Sequence, residues 1–290
     1  MKSIDKLFES VANKGHVCVG LDTDQSHIPN NGDILDYNKA LIDATIDAAA
    51  CYKVQIACYE ALGLAGLKIY SETLRYIRSK GGLVIADIKR GDIGNTAEYY
   101  AKGHYNGDFE ADFVTLAPYM GMDSIEPWAK IATEKDKGAF VLMHTSNKGR
   151  TDFQYIKSGD GKLVYEKVGD KLAALAEQYM GENNYGMFGA VVGCTDSKNA
   201  EEIRAKYPNL FFLIPGYGAQ GGTAEDCAKL MINGNGGVVN ASRSILTAWK
   251  KQAEKEGLAE KDITNVFATE AARTEVYRMR DAIREACAVR

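Results

Sequence analysis

The segment DIKRGD, residues 87–92, contains the residue types that proton transfer requires, at a spacing that can bring them together. In an extended strand alternate side chains share a face, so Asp87 and Lys89 would lie side by side. The chain then turns at Gly91 toward Asp92, and two carboxylates flank one ammonium. Such a group could stabilise a developing negative charge and supply the proton that neutralises it. Taken alone, the pattern is more typical of a surface ion-pair cluster.

The surroundings of this segment favour the chemical interpretation. Asp87 and Lys89 end a run that otherwise reads GLVIA, and unpaired charges in an apolar interior are costly. Lys53 lies in a second apolar run, residues 51–57, and Asp22 closes a third. Each charge alone could belong to an ion pair at the rim of the fold, but a cluster of charges at the ends of apolar runs indicates a function.

Two further stretches are typical of an anion site. The first, PGYGAQGG at residues 215–222, is rich in glycine, so its backbone N–H groups could approach a phosphate closely. The second, Ser242-Arg243-Ser244, opens a predicted helix, where free N–H groups and a guanidinium could bind the same anion. A glycine-rich stretch is more often a simple turn, but two adjacent candidates favour a phosphate site.

Eight short apolar, β-branched runs predict the strands that position these residues. They are HVCVGL from residue 16, CYKVQIA from 51, GLVIADI from 82, DFVTLA from 112, AFVLMHT from 139, MFGAVVG from 187, LFFLIP from 210 and GGVVNA from 236. Stretches of helical period separate them and carry apolar residues on one face. Two examples are Leu67, Tyr70, Leu74 and Ile77, and Val168, Leu172, Leu175 and Tyr179. A strand followed by a helix, eight times, predicts an α/β fold with a parallel sheet closed into a (β/α)8 barrel.

The 290 residues suffice for one barrel with insertions, and no linker or repeat divides them, so the sequence predicts a single domain over residues 1–290. The polar stretch 147–161 is an insertion after the fifth strand, and is either a lid over the site or a loop without a role in chemistry. After the eighth strand, apolar residues at helical spacing predict an extra C-terminal helix on the outside of the barrel. They are Ala272, Val276, Met279 and Ile283.

Composition excludes several classes of partner. A net charge of −4 and a pI of about 5.7 provide no broad basic surface for nucleic acid or an anionic membrane. The six cysteines form no CxxC pattern and the four histidines match no ligand spacing, so we expect reduced, buried thiols and no metal. The N-terminus, MKSIDKLFESVANKG, predicts an amphipathic helix rather than a targeting signal, and no run reaches the roughly 18 apolar residues of a membrane span. These features predict a cytoplasmic protein.

The stretch GLVIADIKRGDIGNTAEYYA resembles the signature of the orotidine 5′-monophosphate decarboxylase family. The resemblance extends from VGLD in the first strand to SRSI after the eighth. It includes YKVQIACYEALG, VTLAPYMG, TSNKG and PGYGAQGG, which look like a bacterial branch with longer chains. The resemblance implies a (β/α)8-barrel enzyme that needs no cofactor. Its reaction would convert orotidine 5′-monophosphate to UMP and CO2, the last step of de novo pyrimidine nucleotide synthesis.

The same resemblance implies the catalytic residues. The family's array of alternating charges falls on Lys53, Asp87, Lys89 and Asp92. Lys89 would protonate the C6 carbanion left by departing CO2, and Asp87 would lie close to the substrate carboxylate. The family forms homodimers, in which Asp92 and Thr96 would enter the active site of the neighbouring subunit, Thr96 to contact a ribose hydroxyl.

The other implied substrate contacts lie on four further loops. Arg243 and the stretch that begins at Pro215 would hold the phosphate, and Gln220 would lie between the phosphate and the base. Asp22 would contact the ribose hydroxyls, and Ser146 would hydrogen-bond the pyrimidine. Orotidine 5′-monophosphate and UMP are thus the expected ligands.

Two alternatives remain open. A sugar-phosphate decarboxylase or hexulose-phosphate synthase of the same superfamily shares the Asp-x-Lys-x-x-Asp pattern but uses Mg2+ to stabilise an enediolate. Arg90, Gly91 and Gln220 resemble the nucleotide branch more closely. A non-catalytic nucleotide-phosphate-binding barrel would retain the phosphate residues, but buried charges without a use are costly to keep. Metal dependence would identify the first alternative, and UMP binding without CO2 release the second.

Overall fold

Eight parallel strands form a closed barrel in which each strand pairs with the next and the last returns to the first. The structure is a computed structural model that describes the backbone of residues 1–290 and every side chain except that of Ser197. The strands are β1 (Val17–Gly20), β2 (Cys51–Gln55), β3 (Val84–Arg90), β4 (Phe113–Leu116), β5 (Gly138–His144), β6 (Phe188–Val192), β7 (Phe212–Ile214) and β8 (Gly237–Ala241). The predicted (β/α)8 barrel is confirmed, and each of the eight apolar runs overlaps one strand. Six runs contain their strand completely, whereas β3 continues two residues past its run and β5 begins one residue before its run.

Helices follow the strands and cover the outside of the barrel. They are α1 (Ser3–Lys14), α2 (Ile34–Thr45), α3 (Ile56–Glu60), α4 (Gly63–Ser79), α5 (Gly94–His104), α6 (Glu126–Glu134), α7 (Val164–Gln178), α8 (Ser197–Lys206), α9 (Ala224–Ala228), α10 (Arg243–Leu246), α11 (Ala248–Glu256) and α12 (Asn265–Ala288). The N-terminal helix α1 is amphipathic as predicted and buries Ile4, Leu7 and Val11. The extra C-terminal helix is α12, which packs against α2, α9 and α11. The four predicted contact residues of α12 are fully buried: Ala272, Val276, Met279 and Ile283.

The strands are apolar on both faces because helices cover the outside and side chains fill the inside. Polar side chains within them are therefore informative. Lys53 in β2, Asp87 in β3 and Thr115 in β4 are all buried. Each lies at or beyond the middle of its strand, toward the end where active sites of this fold are built.

The end of β2 differs most in kind from the sequence pattern. The apolar run 51–57 is not a single strand, because β2 ends at Gln55 and α3 begins at Ile56. The Gln55 side chain accepts a hydrogen bond from the Ala57 N–H at 3.3 Å and so caps the new helix. The same amide is thereby held at the mouth of the barrel.

The cysteines are all free thiols, but not all of them are buried. The expectation of burial is wrong for Cys58 and Cys287, which are half-buried because each lies on a helix with one face toward solvent. Among the described residues no helix is both long enough and apolar enough to cross a membrane. The cytoplasmic location and the single domain over residues 1–290 stay predictions.

Candidate functional site

Asp87 is the centre of a buried group of charges at the C-terminal mouth of the barrel. Its Oδ2 atom accepts hydrogen bonds from Lys53 Nζ and Gln55 Nε2, both at 2.9 Å. Its Oδ1 atom accepts from Lys89 Nζ at 2.6 Å and from Thr115 Oγ1 at 2.8 Å. Four donors therefore fix both oxygens of a carboxylate whose side chain is only 7% exposed.

Lys53 connects Asp87 to a second carboxylate. Lys53 Nζ contacts Asp22 Oδ1 at 2.9 Å, and Asp22 Oδ2 accepts a hydrogen bond from Ser242 Oγ at 2.8 Å. Charges consequently alternate along the row Asp22, Lys53, Asp87 and Lys89. The Lys53 side chain is 7% exposed, whereas that of Lys89 is 47% exposed. Lys89 is thus the lysine of this row whose ammonium is open to a ligand.

The pairing keeps the two inner members of the row charged. Burial alone would raise the pKa of Asp87, but the ammonium groups of Lys53 and Lys89 hold it well below its ordinary value. Burial alone would lower the pKa of Lys53, but Asp87 and Asp22 hold it above its ordinary value. Neither Asp87 nor Lys53 therefore exchanges a proton readily near neutral pH.

Thr115 holds the backbone that presents Lys89. Its hydroxyl donates to Asp87 and accepts the N–H groups of both Ile88 and Lys89 at 3.0 Å. Lys89 has a φ of +43°, a conformation that is unfavourable for a residue with a β-carbon. The pairing of β3 with β4 shifts register in the same segment, between Ala86 and Arg90. Asp87 and Lys89 share a face as predicted, but an irregular strand brings them there.

A cavity of about 390 Å³ opens beside this row of charges. Lys53, Asp87 and Lys89 line one side of it. The apolar side chains of Leu142, Val191 and Leu213 line the cavity as well, together with Ser146 and Asn240. A planar ring with polar edges fits such a lining, because an apolar wall can stack on its face while the polar groups bind its edge.

A second cavity, of about 250 Å³, lies next to the first and has the features of an anion site. Its lining includes Gln220 and Arg243. Arg243 is exposed at the start of α10 and makes no ion pair with any side chain that the structure describes. The two cavities share Pro215 and Asn240, so one ligand could extend through both.

The glycine-rich stretch 215–222 folds into a tight turn at this second cavity. Gly216, Gly218 and Gly221 have φ values of +106°, +67° and +93°, which residues with a β-carbon rarely adopt. The turn is closed by hydrogen bonds between its own backbone groups. The N–H groups of Ala219 and Gln220, which line the cavity, donate to no acceptor within the described part of the chain. They are available to an anion.

Two predicted site residues are not part of this arrangement within one chain. The Asp92 carboxylate accepts a hydrogen bond from the Ile93 N–H at 2.8 Å, and it forms no ion pair with Lys89 among the described side chains. Thr96 is exposed on the first turn of α5. The structure thus joins Lys53, Asp87 and Lys89 of the predicted array, adds Asp22 to them, and leaves Asp92 outside.

The insertion after β5 is anchored at its base. Tyr155 donates its hydroxyl to Asp196 Oδ2 at 2.6 Å, and its oxygen lies 2.9 Å from His144 Nε2. Burial lowers the pKa of His144 to about 4, so this ring is uncharged at neutral pH. Gln154 also bonds the backbone N–H and the hydroxyl of Thr145, the residue before Ser146. The insertion is therefore attached to the residue that precedes Ser146. A role as a lid stays a prediction.

Sequence reasoning missed three polar residues of the site. Gln55 and Thr115 both bind Asp87, and Asn240 lines both cavities. Each was visible as a polar residue within an apolar strand, and Gln55 has the same strand phase as Lys53. As to metals, no cluster of three His, Cys, Asp or Glu side chains suited to an ion is present in the described residues.

The chain is similar to known proteins in both sequence and structure. The family model described as Orotidine 5'-phosphate decarboxylase / HUMPS matches residues 15–257. The orotidine 5′-phosphate decarboxylase of Clostridium perfringens strain SM101 is 54% identical over 291 residues, covering 97% of this chain and 98% of the relative. That of Clostridium acetobutylicum is 52% identical, covering 97% and 99%. The solved OMP decarboxylase of Leishmania donovani has a TM-score of 0.73 at 31% identity, and the match covers 97% of this chain and 100% of that one.

Proposed function

Because the chain belongs to the orotidine 5′-phosphate decarboxylase/HUMPS family, we propose that the row Asp22, Lys53, Asp87 and Lys89 is its reaction centre. The activity is that of a carboxy-lyase, which converts orotidine 5′-monophosphate to UMP and CO2 in pyrimidine nucleotide synthesis. The single observation that carries the assignment of residues is the Lys89 ammonium, which is 2.6 Å from Asp87 and open to the adjoining cavity.

The proposed reaction breaks the bond between C6 and the carboxylate carbon. The carboxylate leaves as CO2, the bonding electron pair stays on C6, and one proton from Lys89 Nζ forms the new C–H bond. The neutral amine then recovers a proton from water. Lys53 cannot replace Lys89 in this role, because it is buried and its pKa is raised by two carboxylates.

Asp87 acts on this step through Lys89. Held ionised by its lysine neighbours, it supplies no proton, but it fixes the direction of the ammonium. An ammonium that is oriented before the reaction stabilises the carbanion without reorganisation. Asp22, at the other end of the row, is proposed to contact the ribose, since it lines the phosphate-side cavity.

The substrate is proposed to extend across both cavities. Its pyrimidine would occupy the cavity that Leu142 and Ser146 line, with Ser146 as a hydrogen-bonding partner of the base. Its phosphate would be held by Arg243 and by the turn that follows Pro215, with Gln220 between phosphate and base. Binding energy gained at the phosphate can be used to position the reacting carboxylate.

The direct test is conversion of orotidine 5′-monophosphate by purified protein that has been treated with EDTA, followed by the loss of substrate absorbance. We expect rapid formation of UMP without any added metal or cofactor. Activity on a sugar phosphate that appears only with Mg2+, and none on orotidine 5′-monophosphate, would instead favour the metal-dependent branch. Tight UMP binding without CO2 release would favour a non-catalytic barrel.

The phosphate site is tested by Arg243→Ala. A hydrogen bond to a charged group is worth roughly 1.5–3 kcal/mol, so we expect UMP to bind this variant about 10- to 100-fold more weakly. Uridine, which has no phosphate, should bind the variant and the parent equally. If the ratio of UMP to uridine affinity is the same in both proteins, the phosphate site is elsewhere.

We also propose that the chain forms a homodimer through the rim of the barrel mouth. Large apolar side chains are exposed there on three neighbouring loops and helices: Leu64 is 86%, Tyr99 73% and Tyr119 89% exposed. An apolar surface of this kind is typical of an interface. Asp92 and Thr96 lie in the same region, and a two-fold contact could direct them toward the partner's cavity.

Complementation between two inactive variants tests this proposal. Asp92→Asn and Lys89→Ala are each expected to lose most of the turnover, Asp92→Asn by about 100-fold or more. After the two are mixed and exchange subunits, mixed dimers contain one site with both wild-type residues, so about a quarter of all sites should regain activity. If mixed dimers form without any recovery, Asp92 acts within its own chain. A protein that stays monomeric at assay concentrations excludes the interface.

A further inference from the structure

His27 lies at the proposed phosphate site, although its position in the sequence gives no indication of this. It ends a 3-10 turn, Gln25–His27, that follows β1. Its side chain lines the same cavity as Gln220 and Arg243. His27 therefore adds an imidazole to a cavity whose other donors include a guanidinium, an amide and two free N–H groups.

A backbone contact determines which nitrogen of this ring carries the proton. The N–H of Asp24 donates to His27 Nδ1 at 3.2 Å, while Asp24 Oδ1 accepts the Ser26 N–H at 2.8 Å. An Nδ1 atom that accepts a hydrogen bond has no proton of its own, so the neutral ring must carry its proton on Nε2. Nε2 has no hydrogen-bond partner among the described residues and is free to donate.

The turn is held in place from outside the cavity. Trp249 Nε1 donates to the His27 carbonyl oxygen at 2.8 Å, and Lys250 Nζ donates to the Ser26 carbonyl oxygen at 2.8 Å. Trp249 itself is buried, so α11 serves as a rigid support. The imidazole is consequently positioned before any ligand binds, which reduces the entropy that binding must overcome.

Burial is the main reason that the ring is neutral near pH 7. Burial lowers the pKa of His27, and Lys250 on α11 and Arg243 on α10 lower it further, while Asp24 and Asp22 oppose them. A neutral imidazole with its proton on Nε2 is a hydrogen-bond donor and carries no net charge. It can therefore stand beside Arg243 without repelling it.

We propose that His27 is a further substrate-binding residue, which donates its Nε2–H to a phosphate oxygen of the nucleotide held by Arg243. This inference rests on the proposed phosphate site. His27 contributes one directed hydrogen bond, and because it is neutral, the contribution does not depend on pH above the titration range of the ring.

Two amide substitutions distinguish the effect of the Nε2–H donor from the effect of the contact that holds the turn. In His27→Asn the amide oxygen can still accept the Asp24 N–H, but nothing replaces Nε2. In His27→Gln the longer side chain can bring its amide N–H to the position of Nε2. We expect His27→Asn to weaken UMP binding about 10-fold or more and to leave uridine binding as it is. His27→Gln should stay within about 3-fold of the parent.

The control within the same turn is Gln25→Ala, which removes the Gln25 Nε2 contact to the Gly32 carbonyl oxygen but no cavity-lining group. It should not change the ratio of UMP to uridine affinity. The inference is overturned if His27→Asn keeps the parent's ratio, or if His27→Asn and His27→Gln lose affinity equally, since the turn rather than the donor would then matter. Calorimetric titration with UMP and uridine measures all of these ratios.

The pH dependence of UMP affinity, compared between the parent and His27→Asn, provides a second readout. Between pH 7 and 8.5 the phosphate is a dianion and His27 is neutral, so the parent should bind UMP more tightly than His27→Asn by a constant factor. A factor that shrinks as the pH rises would mean that a protonated ring binds the phosphate, and would contradict the neutral donor. Arg243→Ala distinguishes a failure of the proposed phosphate site from a failure of the proposed role of His27. If it changes the UMP to uridine ratio and His27→Asn does not, the phosphate site stands and the role of His27 fails.

Discussion

Lys89→Ala is expected to lower kcat/KM for orotidine 5′-monophosphate by roughly 10⁵-fold or more. One unit charge about 4 Å from the developing carbanion contributes roughly 4 kcal/mol at an effective dielectric near 20, which is about 10³ in rate. Loss of a positioned proton donor removes a further factor of about 10² to 10⁴. The two roles belong to one atom, Lys89 Nζ, so a single substitution removes both.

Steady-state kinetics on folded variants checks this expectation. Lys89→Arg keeps a positive charge but replaces the amine with a group that does not give up its proton, so it should retain part of the effect of charge and none of the proton transfer. Lys130→Ala removes an exposed lysine from α6 and should leave turnover unchanged. Near-parental turnover in folded Lys89→Ala would exclude Lys89 as the proton donor.

Lys53→Met is expected to damage both stability and activity. The substitution keeps an unbranched side chain, one atom shorter, but leaves Asp87 and Asp22 without the ammonium that lies between them. Removing one partner from a buried ion pair costs about 3 kcal/mol or more in free energy of unfolding. The two carboxylates would also repel each other, and a displacement of Asp87 by about 1 Å can cost about 100-fold in turnover because Lys89 moves with it.

Denaturant unfolding and kinetics measure the two losses separately. Lys53→Met/Asp22→Asn removes one of the unpaired carboxylates and should recover part of the stability. In Lys53→Met the pKa of Asp87 should rise relative to the parent, because one of the charges that lower it is gone. The stability difference between parent and variant should then narrow as the pH falls, since protonation removes the unpaired charge. An unchanged unfolding midpoint at neutral pH would contradict this account of the cluster.

The barrel could be predicted because its strands are buried on both faces and therefore read as apolar, β-branched runs. The same contrast made Lys53 and Asp87 visible as charges among apolar neighbours. Gln55 and Thr115 have no charge, so their role appears only when β2, β3 and β4 are side by side. His27 could not be found from its neighbours, because its support comes from Trp249, more than two hundred positions away.

Asp92 shows a different limit of prediction from sequence. The family resemblance placed it in one array with Lys53, Asp87 and Lys89, and within a single chain it does not join them. Spacing along a chain can predict which side chains share a strand face, but a residue after the turn at Gly91 has a direction that spacing does not determine. If Asp92 serves a second copy of the chain, no pattern within one sequence contains that contact.

The positive φ of Lys89 has a consequence for how this position can vary. A residue with a β-carbon in that conformation is less stable by about 1 kcal/mol or more, whereas glycine adopts it freely and asparagine tolerates it. The substitutions that would relieve the backbone at position 89 thus remove the ammonium, and the residue that keeps the ammonium retains the strain. Thermostability and turnover are therefore opposed at position 89. Substitutions that stabilise the barrel without loss of activity must be made elsewhere in the chain.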